Sequence, residues 1–125
     1  MILSDVGDNE IGENGAKALS NCIKNQSQLA MLLIGHNKIG VKGGSYIEGG
    51  ISCMNQNNLM YLDLHNNNLN GKACLSILKC IKNVHKFKTI DLKLNVVTTA
   101  EKEEIEKYYI GDVKATGDSI SALEI

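Results

Sequence analysis

"LMYLDLHNNNLNG", residues 59–71, sets leucines at 59, 62, 64 and 69 around three consecutive asparagines. The spacing Leu-x-x-Leu-x-Leu-x-x-Asn-x-Leu has a physical meaning only if it recurs, and it does. "LAMLLIGHNKI" puts Leu29, Leu32, Ile34, Asn37 and Ile39 at the same offsets, and "FKTIDLKLNVV" puts Phe87, Ile90, Leu92, Asn95 and Val97 there. "MILSDVGDNEI" supplies Met1, Val6, Asn9 and Ile11, with Ser4 as the one misfit. The asparagine stands at 9, 37, 67 and 95, at intervals of 28, 30 and 28 residues. A fixed period of this length signals a repeat architecture in which each unit buries its apolar side against the next.

The second half of each unit repeats independently of the first. Ten residues after each asparagine come Leu19, Ile47, Ile77 and Ile105, and fourteen after it come Ile23, Ile51, Ile81 and Tyr109. Seven after it, three units hold the small residues Ala16, Gly44 and Cys74. Offsets 7, 10 and 14 lie on one helical face. Each unit is therefore a short strand followed by a helix with a narrow apolar stripe, and small residues let the helix lie close to the strand layer. Gly12 and Gly40 share an offset, as do Gly15 and Gly43, so these glycines serve the turn between strand and helix. They do not form a phosphate loop, which needs Gly-x-x-x-x-Gly-Lys-Ser/Thr.

These registered units resemble leucine-rich repeat proteins. Segments such as "NEIGENGAKALSNCI" are similar to the 28-residue ribonuclease-inhibitor-like subfamily, also seen in NOD-like receptors and Ran GTPase-activating proteins. The resemblance implies an α/β leucine-rich-repeat solenoid, a right-handed β/α horseshoe segment of four strand–helix units with a parallel sheet on the concave face. The expected units are about 1–28, 29–58, 59–86 and 87–109. In such a family Asn9, Asn37, Asn67 and Asn95 form a structural ladder that satisfies backbone groups of adjacent turns. The last unit departs from the others at "NVVTTAEKEEIEKYY", where Thr99 is expected to cap a helix whose first turn carries Glu101, Glu103 and Glu104. After Tyr109 the periodicity stops, and 110–125 reads as a C-terminal cap or tail.

Composition narrows the function. The 125 residues carry 13 lysines and no arginine, with a formal charge of −1, so the basic stripe of a nucleic-acid interface is missing. No apolar run approaches the ~18 residues of a membrane span. Cys22, Cys53, Cys74 and Cys80 include no Cys-x-x-Cys pair. They are expected to be reduced, buried thiols in an intracellular, cytoplasmic protein, with a cytoskeletal or ciliary assembly among the settings that fit.

Alternation along each strand sends Leu62 and Leu64 inward and Tyr61, Asp63 and His65 outward. Across the units the outward positions form columns: Leu3, Met31, Tyr61, Thr89; then Asp5, Leu33, Asp63, Asp91; then Gly7, Gly35, His65, Lys93; then Asp8, His36, Asn66, Leu94. Apolar and aromatic side chains there have no core to fill, which points to partner contact through Met31, Leu33, Tyr61, Asp63, His65, Asp91 and Lys93. The bland alternative is that they merely cover a short sheet. His36, His65, Asp63 and Asp91 also invite a metal or acid–base reading, but an open surface without ligand-spaced motifs favours plain polar surface. No metal, cofactor, small-molecule substrate or catalytic residue is expected.

The function read from the chain is a non-catalytic protein–protein interaction module, a subunit or fragment of a larger assembly. Its partner is another protein of unknown identity, at the concave face or at an uncapped N-terminal edge strand. The competing readings are a Ran-type GTPase-activating segment and a regulatory or sensor repeat segment.

Overall fold

The computed structural model describes residues 2–5, 7–54, 57–82, 84–109 and 122–125, with the backbone alone at 2–5 and 122. The chain alternates strand and helix: β1 Ile2–Asp5, α1 Gly12–Ile23, β2 Leu29–Leu33, α2 Gly40–Ser52, β3 Tyr61–Asp63, α3 Gly71–Ile81, β4 Thr89–Asp91 and α4 Thr99–Tyr108. A last strand, β5, spans Ala122–Glu124. All five strands lie in one parallel sheet in chain order, so every strand pairs with its sequence neighbours. Parallel neighbours need a crossover between them, and each helix provides one.

Register follows the period. Met31 pairs with Tyr61 and then Thr89, Leu32 with Leu62 and Ile90, and Leu33 with Asp63 and Asp91. Leu32, Leu62 and Ile90 therefore form one inward row, all at 0% exposure, with Ile34, Leu64 and Leu92 in the row beyond. Against them pack Ala16, Ile23, Ile47, Ile51, Cys74, Ile77, Ile81 and Ile105 from the helices, and Phe87 fills the space before β4. Each fully buried Leu or Ile contributes roughly 1.5–3 kcal/mol relative to exposure. The strands are only three to five residues long where described, so side-chain burial rather than strand length holds the sheet.

Thirteen residues after the ladder asparagines stand Cys22, Gly50, Cys80 and Tyr108, and helix–helix spacing accounts for the small residues at Gly50 and Cys80. A Cβ on Gly50 would stand 2.8 Å from Ser20 O, so α2 lies hard against the α1 backbone. Cys80 faces the preceding helix likewise, with its thiol 3.1 Å from Ser52 Oγ. Cys22, on the first described helix, is exposed, as is Cys53. The expectation of four buried thiols is thus corrected: Cys74 is buried, Cys80 half-buried, and all four are free.

One further expectation changes. The α4 cap is Thr98, not Thr99: its hydroxyl accepts from Glu101 N at 3.1 Å, and Glu101 Oε1 accepts from Thr98 N at 3.0 Å. Within 110–125, read from the sequence as a cap or tail, β5 extends the sheet with Leu123 opposite Ile90 and Glu124 opposite Asp91. Met1, Val6 and the stretch 110–121 lie outside the described residues.

Candidate functional site

The asparagine positions of the repeat sit where each strand leaves the sheet. Asn37 Oδ1 accepts from Asn9 N at 3.1 Å, Asn67 Oδ1 from Asn37 N at 2.9 Å, and Asn95 Oδ1 from Asn67 N at 2.9 Å. The amide end completes each rung: Asn67 Nδ2 donates to Leu64 O of its own turn at 3.1 Å and to Ile34 O of the preceding turn at 2.8 Å. Asn95 Nδ2 repeats this with Leu92 O and Leu64 O. Asn37 and Asn67 have 0% exposure, and a buried amide of this kind stabilises only because its donors and acceptors are matched. Asn9, at the first turn, is exposed and its Nδ2 donates to Gly7 O. The side chains of Asn37, Asn67 and Asn95 thus connect neighbouring turns.

The open side of the sheet carries the other singled-out residues. Along β2 and β3 exposure alternates, with Leu32 and Leu62 buried and Met31, Leu33, Tyr61 and Asp63 half-buried. The helices pack on the inward side, so no described helix covers this face. Register brings Met31 beside Tyr61, and Leu33 beside Asp63, Asp91 and Glu124 in turn. The apolar part therefore lies on β2 and early β3, and the charged part on β3, β4 and β5.

Asp91 breaks the alternation. It points outward by register yet is only 8% exposed. Its Oδ1 accepts from Lys93 N at 3.0 Å, and Lys93 Nζ lies 4.0 Å from Asp91 Oδ2 and 3.3 Å from Glu124 Oε2. Asp63 holds His65 in the same way, its Oδ1 accepting from His65 N at 3.0 Å and meeting the ring Nδ1. The two loops use one device, a carboxylate accepting from the backbone two residues on. A Cβ on Gly35 would run into the His65 ring, so glycine in the preceding unit makes room for the imidazole. That ring meets His36 edge-on with centroids 4.5 Å apart.

The row's electrostatics follow from three carboxylates against one ammonium. The Lys93 pKa is raised, first by its hydrogen bond to Glu124 and then by the charge of Asp91. The Tyr61 phenol is also pushed up, first by burial and then by the charges of Asp63, Asp91 and Glu124. Candidate ligand atoms of Asp63, His65 and Asp91 lie within 4.8 Å of one another. That is a common reach for one donor or cation, but the Lys93 ammonium already occupies the flank and the face is open.

Glu124 completes the row and was not singled out in the sequence. Its signal was present: "ALEI" aligns Leu123 and Ile125 with Ile90 and Leu92, the same Leu-x-Leu frame with an acidic residue between. The fourth column, Asp8, His36, Asn66 and Leu94, has φ of 61°, 57°, 51° and 60°. Three of those residues tolerate the left-handed region; Leu94 does not do so readily, and it is 73% exposed.

No protein-family model matches this chain, and no curated protein matches its sequence. Among solved structures it is similar to one described as leiomodin-1 actin-binding site 2, with a TM-score of 0.77 at 11% identity, covering 98% of this chain and 68% of that one. Identity this low speaks to the fold alone, which is leucine-rich-repeat-like in both. No helix among the described residues is long and apolar enough to cross a membrane.

Proposed function

We propose that this chain is a non-catalytic protein-docking module that receives its partner on the open face of the parallel sheet. One observation carries the reading: Met31, Leu33 and Tyr61 stand half-exposed side by side on a face that no described helix covers. Apolar and aromatic side chains grouped on an open face are the usual mark of an interaction surface. Tyr61 is the central anchor, flanked by Asp63, His65, Asp91 and Lys93. Four strand–helix units in register support a ribonuclease-inhibitor-like solenoid whose sheet lines the concave side, the side on which such proteins bind. Likeness to a structure described as an actin-binding site supports a protein partner of cytoskeletal type, and with it a cytoplasmic setting.

A photo-crosslinking residue placed at Tyr61, and separately at Lys79 on the exposed side of α3, tests the docking face. Efficient crosslinking to one protein from position 61 with little from position 79 is the expected result. Equal crosslinking from both, or preference for 79, would sink it. Co-sedimentation with filamentous actin tests the cytoskeletal part separately.

A further inference from the structure

We infer that the partner segment received on this face is basic, and that it sets an arginine into the row Asp63–Asp91–Glu124 while an adjacent apolar side chain rests on Met31 and Leu33. The inference rests on the docking reading above and adds the chemistry of what docks.

Three observations converge. Register puts Asp63, Asp91 and Glu124 on successive strands, about 4.8 Å apart across the sheet. Like charges placed directly opposite one another destabilise a sheet unless a cation joins them. Lys93 is the cation at the row among the described residues, and it sits toward Asp91 and Glu124. Asp63 is left with the imidazole of His65.

Hydrogen-bond capacity is also unfilled. Asp63 and Asp91 each engage Oδ1 with the backbone N–H two residues on. Among the described residues no hydrogen bond reaches either Oδ2. These oxygens are not sealed in, because among the described residues no buried side-chain acceptor lacks a partner. Recessed carboxylates on neighbouring strands, with Asp63 Oδ2 unbonded among the described residues and Asp91 Oδ2 facing the Lys93 ammonium at a long 4.0 Å, suit a planar guanidinium, whose fork donates to two acceptors at once. Tyr61 stands one outward position earlier on β3, and an aromatic side chain beside the row is the kind of group a cation packs against.

The chain contains no arginine, so a second copy could bring only lysine to this row. A different protein fits better. The apolar neighbours Met31 and Leu33, on the adjoining strand, set where the segment's aliphatic side chain lies, and the charged row then fixes its direction.

Amide chemical shifts of the full chain, titrated with short synthetic peptides, test this. The probe carries leucine and arginine at alternate positions; its counterparts replace arginine with lysine, citrulline or glutamate. Expected is a shift of the Met31, Tyr61, Asp63 and Asp91 amides by the arginine peptide, with the neutral, isosteric citrulline peptide binding roughly tenfold more weakly. Asp91→Asn should remove most of that difference, and added salt should narrow it. If citrulline or glutamate peptides shift the same amides equally well, the face docks proteins but not by charge, and this inference falls while the docking reading stands. If no peptide shifts those amides, or the shifts map to the helices, the inference falls too; crosslinking from Tyr61 then decides the docking reading separately. Because citrulline leaves the protein untouched, misfolding of a variant cannot mimic the result.

Discussion

The first two units and the last two begin their helices in different ways at the same position. Three residues after each ladder asparagine stand Gly12, Gly40, Asn70 and Thr98. Gly12 and Gly40 take φ of 64° and 70°, with Ile11 and Ile39 before them offering no side-chain cap. Asn70 and Thr98 stay extended and cap with their side chains, Asn70 Oδ1 accepting from Ala73 N at 2.8 Å. In the glycine version the backbone does the turning, and the glycine N–H reaches the next unit: Gly12 N to Asn37 O and Gly40 N to Asn67 O, both 2.9 Å. In the capped version a side chain satisfies the helix's own first turn. The outward face divides at the same boundary, with Gly7 and Gly35 on one side and His65 and Lys93 on the other. The N-terminal half is built from backbone freedom, the C-terminal half from polar side chains.

The strongest way to break that division is at its seam. Asn67→Ala removes the amide joining the second and third units and leaves buried carbonyl and N–H groups unmatched. A loss of about 3–5 kcal/mol is expected in denaturant unfolding, whereas Asn9→Ala at the exposed first rung should lose about 1 kcal/mol or less. Equal losses at the two sites would mean that the ladder's burial gradient has no energetic meaning.

The next effect separates the two helix starts. Gly40→Ala forces a Cβ into the left-handed region and should cost about 1–2 kcal/mol, although nothing stands within 4 Å of that position. Gly40→Asn should cost less, since asparagine tolerates this region. At the other half Thr98→Ala should cost about 1 kcal/mol and Asn70→Gly a few tenths. Thermal unfolding of the four variants ranks them; identical costs for Gly40→Ala and Gly40→Asn would remove backbone conformation as the cause.

A smaller effect appears in pH. Glu101 is held below its ordinary value near 4.5, chiefly by its backbone and side-chain hydrogen bonds with Thr98. A depressed folded-state value means that the contribution is complete above the ordinary value and fades as pH falls through the lower one. Thr98→Ala should return the Glu101 titration toward its ordinary value in a carboxyl NMR titration. No movement would show that the capping box does not set it.

The least disturbing test leaves stability unchanged. Burial first, and the Glu101 carboxylate second, push the Cys74 thiol up to about 12. At pH 8 a thiol reagent should label exposed Cys22 and Cys53 quickly and Cys74 only on unfolding. Fast labelling of Cys74 in the folded chain would contradict the packing of α3 against the sheet.

The sequence made the registered columns legible because a period of 28–30 residues superimposes inward and outward positions without knowledge of the shape. The rows Met31–Tyr61–Thr89 and Leu33–Asp63–Asp91 are therefore visible in the letters. Other features need three dimensions. β5 escaped because Leu123 follows Ile90 by 33 residues, longer than the 28–30-residue period of the other units. Without β5, Glu124 had no place in the acidic row. The cap moved from Thr99 to Thr98 because two adjacent threonines have equal capping chemistry and only the backbone angle separates them. Cysteine exposure depended on whether an earlier helix among the described residues lies alongside, which explains Cys22 against Cys80. The left-handed column was invisible at Leu94, whose side chain gives no hint of that conformation.

The asparagine bonds also have a direction in time. Asn9 N–H finds its acceptor on Asn37, Asn37 N–H on Asn67, and Asn67 N–H on Asn95. During synthesis each turn emerges before the side chain that will complete it. Because strands pair in chain order, the missing acceptor arrives after about one further unit, and closing so short a loop is entropically mild. A ribosome releasing this chain would let the sheet lengthen strand by strand, each new asparagine sealing the turn made just before it.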